Sequence, residues 1–404
     1  MSHVTLSNKH VEELTTLRRD FHKHPERGLE EFRTADTVQR YLSSLGLDVK
    51  RVATTGVVGV LEGRQPGPTL LIRADMDALP LNEETDLPFR SIHQGLMHAC
   101  GHDAHMAMLL VAAKVIVNQC RDQITGTIKF VFQPNEEAAG AYLMIREGVL
   151  EDPTVDAAAT LHIWSLLDSW SISITEGPVM AAARYFKLTI LGRGGHAGLP
   201  HQSICPIDAA VNVIQATKSI VTHETDPLRP TVVVTTSIQA GTNPTIVPST
   251  AVIEGSLRWL SPDDEGIESA FRRIVDATCA AHRVEYELTI EQGNHVVQND
   301  PKMTAVACVA AHRIKAFRHV LADSVSTMAG DDFGEFSHQI PSVYCFLGSR
   351  NEEKGTAYPH HHPRFNIDEA VLPLGAVLHA NVAVEFFRRG GVGRRNDSNP
   401  DARR

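Results

Sequence analysis

The chain has 404 residues, 43% hydrophobic and 21% charged, with a formal net charge of −10. At roughly 150 residues per domain that length suggests two or three domains, and the acidic balance argues against a nucleic-acid surface. Six scattered cysteines with no CxxC pair, no basic-then-apolar leader and no run near the ~20 apolar residues of a membrane span exclude a disulfide scaffold and point to a cytoplasmic protein with no membrane partner.

Residues 8–24 read as an amphipathic helix, with Val11, Leu14, Leu17 and Phe21 at helical spacing and Pro25 as its stop. A second helix is expected from Thr34 to Leu45, with Gly46 after its end. Strands at Val57–Leu61 and Thr69–Ile72 follow, the latter running into Asp75 and Asp77. Carboxylates at the C-terminal end of a strand lie where open α/β sheets keep their sites.

Next comes Met97-His98-Ala99-Cys100-Gly101-His102-Asp103-Ala104-His105, ahead of an apolar helix from Ala104 to Val117. Thiolate and imidazole both suit borderline-soft divalent ions. The helix dipole is expected to favour the Cys100 thiolate. Thr127–Phe132 reads as a buried strand ending at Glu136-Glu137. There one carboxylate can hold a metal while its neighbour handles protons. A strand from Ala157 to Leu161 delivers His162 to the same edge.

The character changes near 183. A strand at 185–191, a Gly-rich turn with His196, a helix from Cys205 to Val221, strands at 231–238 and 250–258, a helix from Asp264 to His282 and a strand at 285–290 make a split βαβ, ferredoxin-like plan. After a helix over 301–316, Gly330-Asp331-Asp332-Phe333-Gly334 opens a short helix. A strand over Ser342–Leu347, a His-rich loop (358–365) and a helix from Asp368 to Phe387 follow. The expected organisation is therefore an α/β domain in two parts, 1–183 and 294–388, an inserted domain over 184–293, and a disordered tail over 389–404.

The segments RADMDALP, MHACGHD, QPNEEAAG, LHIW, GRGGHAGLPH and HHPRFNIDE, in this order between residues 8 and 388, resemble the metal-dependent aminoacylase/carboxypeptidase family. Within it they are similar to the hippurate-hydrolase and auxin-conjugate-hydrolase branch. The resemblance implies an α/β fold: a dimetal aminopeptidase-like catalytic domain with an inserted ferredoxin-like dimerisation, or lid, domain. It implies metal ligands at Cys100, His102, Glu137, His162 and His361, with His361 preferred over His360. Glu136 would be the general base, and His196 would polarise the scissile carbonyl, often across a dimer. Asp75, Asp77, Asp103 and His105 would support the ligands from behind.

Three positions depart from the family pattern. Thr245 stands where an Asn usually contacts substrate, with Asn243 nearby; Asp331 replaces a Glu; Arg184 replaces an Asp. Arg258 is a candidate clamp for a substrate carboxylate by its bidentate chemistry, or a plain strand residue. The resemblance implies a homodimeric enzyme with two divalent ions per chain (zinc, manganese, cobalt or nickel), cleaving N-acyl amino acids to a carboxylic acid and a free amino acid. The alternatives are a dipeptidase or carboxypeptidase, an N-acetyl amino-acid deacetylase, or a non-catalytic metal- or substrate-binding protein.

Overall fold

A computed structural model describes residues 4–262 and 266–393. The described chain divides into two compact units. The first holds the residues up to Val179, Val297–Ser326 and those from Asp331 on; the second holds Met180–Val296 and Thr327–Gly330. The short segment Thr327–Gly330 thus belongs with the inserted unit, not with the returning catalytic part. Its bonds explain this: Ala181 N–H donates to the Ala329 carbonyl and the Arg258 guanidinium to that of Met328.

The first unit is built on an eight-stranded mixed sheet. Its spatial order is Asp48–Val52, Gly56–Glu62, Thr125–Gln133, Gln65–Asp75, Ala157–Asp168, Ser342–Arg350, Ser171–Ser173 and His319–Leu321. Four central strands are parallel neighbours and end toward one edge. Asp75 lies opposite Gln133, Arg73 opposite Thr160, and His162 opposite Phe346. Such strands are covered on both faces and read as continuous apolar runs, as in Leu70-Leu71-Ile72 and Phe130-Val131-Phe132.

Two helices fill the core beside this sheet. His102–Val115 buries every residue except Lys114, the mark of a helix inside the protein and not on its surface. Leu372–Arg388 packs against it. Together with the preceding turn, that helix (Glu369–Arg388) is long and apolar enough to cross a membrane, which corrects the expectation that no such run exists. Of its apolar window 78% is buried inside the fold, which accounts for its composition as that of a core helix.

The second unit carries a four-stranded antiparallel sheet in the order Thr231–Ala240, Thr250–Trp259, Ala182–Leu191, Glu285–Gln292. Helices Pro206–Thr217 and Ile267–His282 pack together and join a core that includes Phe186, Leu188, Val213, Ile253 and Phe271. This is the expected ferredoxin-like plan.

Several bounds move. The strand carrying His162 runs on to Asp168, so His162 is inside the strand and not beyond its end. Asp48–Val52 is a strand that the sequence reading missed; three of its five residues are charged and it lies at a sheet edge. The start expected for the second unit's last helix, Asp264, and the tail from 394 lie outside the described residues.

Candidate active site

All five expected ligands belong to the first unit, and local structure explains each placement. Gly101, at φ 95°, turns the chain immediately before His102. A side chain there would be strained and would press on Ile163 at 3.3 Å. The turn leaves Cys100 at the mouth of the buried helix and His102 in its first turn.

The two ring nitrogens of His102 have different fates. Nδ1–H donates to the Asp77 carbonyl at 2.9 Å, while Nε2 is buried with no hydrogen-bond partner. It lies 3.8 Å from Asp75 Oδ1 and 3.8 Å from Glu136 Oε2. A buried bare imidazole lone pair facing carboxylates fits a cation between them, and the bonded Nδ1 fixes the ligating tautomer.

His162 repeats the pattern. Its Nδ1–H donates to the Ile163 carbonyl at 2.6 Å and its Nε2 faces Cys100 Sγ at 3.6 Å. His105 differs, because both nitrogens are engaged. Nδ1 meets Asp75 Oδ1 at 2.6 Å and Nε2 accepts from Ile163 N–H at 2.9 Å. It cannot ligate without giving up a bond, so it supports the strand behind the ligands.

Cys100, Glu137 and His361 bring one donor atom each within 4.8 Å of one another, and so do His102, Glu136 and Glu137. His361 Nε2 lies 3.3 Å from Glu137 Oε1. Its backbone is held at φ 63° by a bond from its N–H to the Ala99 carbonyl. A non-glycine residue held there costs on the order of 1–3 kcal/mol, and such strain gathers at functional sites. Its neighbour His360 is half-buried, with Nε2 taken by Ser165 N–H at 3.2 Å and Nδ1 3.8 Å from Cys100 Sγ. The free nitrogen beside a carboxylate is therefore that of His361.

The carboxylates behind these ligands orient the loop after the strand Thr125–Gln133. Asp77 accepts from Glu136 N–H at 2.9 Å and Glu137 N–H at 3.1 Å. Asp75 is paired with Arg73 at 2.6 Å. Asp103 faces away from the ligand cluster, paired with Arg18 at 2.9 Å and with His22 at 2.8 Å, so it anchors the segment to the first helix, Asn8–Lys23.

The electrostatics set Glu136 apart. Burial, then the facing Asp331, Glu137 and Asp332 carboxylates, push its carboxyl well above the ordinary range. A carboxyl held this way takes up a proton readily. The Cys100 thiol is also raised, by burial and by Glu137, against the expectation that the helix start would lower it. Its enclosure outweighs the dipole, and His102 and His361 offset it only in part.

The sequence reading left out the layer beneath Glu136. Arg73 is fully buried and binds Asp75, Asp331 and Asp332, and Gln133 Nε2 donates to both Asp332 oxygens at 2.8 Å. The Tyr344 hydroxyl donates to Asp331 at 2.9 Å. A signal was present: an Arg inside an apolar strand must find buried partners, and Arg73 precedes Asp75 by two residues on the same face.

The remaining candidates lie in the second unit. His196 is exposed on the short strand Gly195–His196, which pairs with Ile246–Val247. Its Nδ1 accepts from Gly198 N–H at 3.0 Å, which leaves the proton on Nε2, a free donor. Asn243 Oδ1 accepts from both the N–H and the hydroxyl of Thr245, at 2.9 and 2.8 Å. His196 and Thr245 line one open groove of this unit. Arg258 donates to the Met328 carbonyl at 3.2 Å, and the Arg184 guanidinium lies 5.3 Å from the Trp259 ring centre.

The pattern of peptidase family M20/M25/M40 matches residues 71–385. The chain is 38% identical to thermostable carboxypeptidase 1 of Saccharolobus solfataricus, over 92% of this chain and 95% of that one. It is 36% identical to an N-acetylcysteine deacetylase of Bacillus subtilis, over 92% and 96%. The crystal structure of the Bacillus subtilis YXEP protein, described as a dinuclear metal binding peptidase from the M20 family, superposes with a TM-score of 0.81. Its identity is 32%, over 95% of this chain and 99% of that one.

Proposed function

We propose, from the premise that this chain belongs to peptidase family M20/M25/M40 and is a metal-dependent hydrolase of amide bonds, that it cleaves N-acyl amino acids to a carboxylic acid and a free amino acid. The observation that carries the reading is the bare, buried Nε2 of His102 beside Glu136, in a cluster that also holds Cys100, Glu137, His162 and His361. These five residues would hold two divalent ions; thiolate and imidazole favour zinc, cobalt or nickel, and the carboxylate also admits manganese. Bound there, the ions would supply water of lowered pKa and polarise a carbonyl.

The chain's own residues do the rest. Glu136 takes a proton from the attacking water on its carboxylate and passes it to the leaving amine; such acid–base work is worth ~10²–10⁴-fold. Asp77 holds the backbone on which Glu136 and Glu137 sit. His196 offers its Nε2–H where negative charge develops on the scissile oxygen. Asn243, Thr245 and Arg258 are the candidates for substrate contact; Asn243 has its oxygen committed to Thr245 and only its amide nitrogen to offer.

The second unit, which contains the expected insertion 184–293, is the site of homodimerisation in this reading. Support comes from its edge strand Thr231–Ala240, where Val234 and Ile238 are exposed, and from Leu228, which is 88% exposed. The six free cysteines support a reducing, cytoplasmic compartment.

The test is metal analysis of the purified protein, coupled to amino-acid release from a panel of N-acetyl, N-benzoyl and longer N-acyl amino acids beside dipeptides, with and without chelator. About two ions per chain and chelator-sensitive release from the acyl panel are expected. Faster release from dipeptides would move the assignment to a dipeptidase. Metal without release from any substrate would favour a binding protein.

A further inference from the structure

Three successive backbone N–H groups at the catalytic loop end on two buried carboxylates. Glu136 and Glu137 donate to Asp77, and Asn135 donates to Glu31 Oε1 at 2.9 Å. Glu31 is fully buried and lies just before the helix Phe32–Ser44. Its other oxygen accepts the hydroxyl of Thr55, which is itself fully buried. The geometry points to Glu31 as a positioning residue: through Asn135 it sets the loop that presents Glu136 and Glu137, with Thr55 holding it in place.

The backbone shows why such a brace is needed. Asn135 sits in the left-handed region at φ 54°, ψ 42°, and Ala139, at the far end of the same turn, is at φ 66°. Asn tolerates this region, but an alanine stays there only when its surroundings over-determine it. Asn135 is fixed on both sides: its N–H goes to Glu31 and its side-chain amide donates to the Ala138 carbonyl at 2.9 Å. Space around it is closed as well. A Cβ on Gly28 would meet Asn135 Oδ1 at 2.0 Å, and one on Gly140 would meet the Pro134 carbonyl at 1.8 Å.

Thr55 is placed by a turn of the same kind. Ala53 and Thr54, between the strands Asp48–Val52 and Gly56–Glu62, both have positive φ (52° and 68°). Two non-glycine residues in succession hold the turn that aims the Thr55 hydroxyl at Glu31. The brace thus runs from a hairpin, through one carboxylate, to the residue before the proposed base.

This inference rests on Glu137 being a ligand and Glu136 the base, so its test reads zinc affinity as well as turnover. Removing a partner from behind a metal site commonly costs ~10–100-fold in affinity or activity. Zinc affinity is measured by competition with a chromophoric chelator for the wild type, Glu31→Ala, Glu31→Gln and Thr55→Val, with folding checked by circular dichroism. Glu31→Ala is expected to weaken zinc binding ~10–100-fold and to lower kcat with little change in KM. Glu31→Gln, which keeps an acceptor for Asn135 N–H, should recover most of both. Where Glu31→Ala does not fold, Thr55→Val carries the test with a smaller loss of the same kind.

In a Glu136→Gln background, Glu31→Ala should add little further loss of kcat, because both act through one loop; a loss of folded protein would add in full. Zinc affinity within about threefold of wild type in the folded variants overturns the inference and leaves the hydrolase reading standing. A wild type that binds none of zinc, manganese, cobalt or nickel overturns both.

Discussion

The two units hold their candidate residues in opposite ways. In the first, buried groups fix the rings of His102 (through Asp77) and His162 (through Ile163), the backbone of Glu136 and Glu137 (through Asp77) and the edge beneath them (Arg73 with three aspartates), although Glu137 and His361 are themselves exposed. In the second, His196 is exposed on a two-residue strand, and Thr245 and Asn243 are exposed and bonded mainly to each other. Preorganised donors act without reorganisation at the moment of reaction. The contrast fits the proposed division, in which the braced residues of the first unit bind metal and move protons and the exposed candidates of the second contact substrate.

The comparison can be broken most severely by taking out the metal. Dialysis against chelator should abolish turnover and lower the midpoint of thermal unfolding, since ions that bind only the folded protein stabilise it by mass action. Calorimetry with and without added zinc checks this. A second blow is Arg73→Met. It strands Asp75, Asp331 and Asp332 in the interior, and breaking a buried charge network by removing one partner costs about 3–5 kcal/mol. Denaturant unfolding should show that loss alongside lost activity.

His196→Ala should separate the units. Removing a donor to a developing oxyanion costs ~10²–10³-fold in kcat, whereas an exposed side chain contributes within about 0.5 kcal/mol to stability. Kinetics and unfolding on one preparation should thus show a large change in the first and almost none in the second.

The smallest effect concerns His379, in the core helix and apart from the ligand loops. Burial pushes its imidazole down to about 3. Its folded value lies below the unfolded one near 6.5, so the unfolded state binds more protons between those values. Stability should fall as pH drops from about 6.5 toward 3, and His379→Leu should flatten that part of the unfolding profile.

What the sequence disclosed follows the same division. Cys100, His102, Glu136, Glu137, His162 and His361 stand in short motifs whose order and residue types carry chemistry, and the strand ends that gather them are visible as apolar runs. The Arg73–Asp331–Asp332 cluster joins residues more than 250 positions apart, and nothing local in either segment announces the other. Glu31 reads as an ordinary residue ahead of a helix; only the fold brings Asn135 and Thr55 to its two oxygens. Asp331, one methylene shorter than the usual Glu, looks like a loss on paper, yet it meets Arg73 and Tyr344. At Cys100 the helix start is legible in sequence, whereas the burial that raises its thiol, with the Glu137 charge adding to it, is not.

The central claim is that Glu136 moves the proton in a site whose metals are held by other residues. Its most direct test is Glu136→Gln, with metal content and amino-acid release measured on the same preparation. The account predicts an unchanged metal content and turnover lowered by ~10²–10⁴-fold. Full turnover with both ions in place would contradict it.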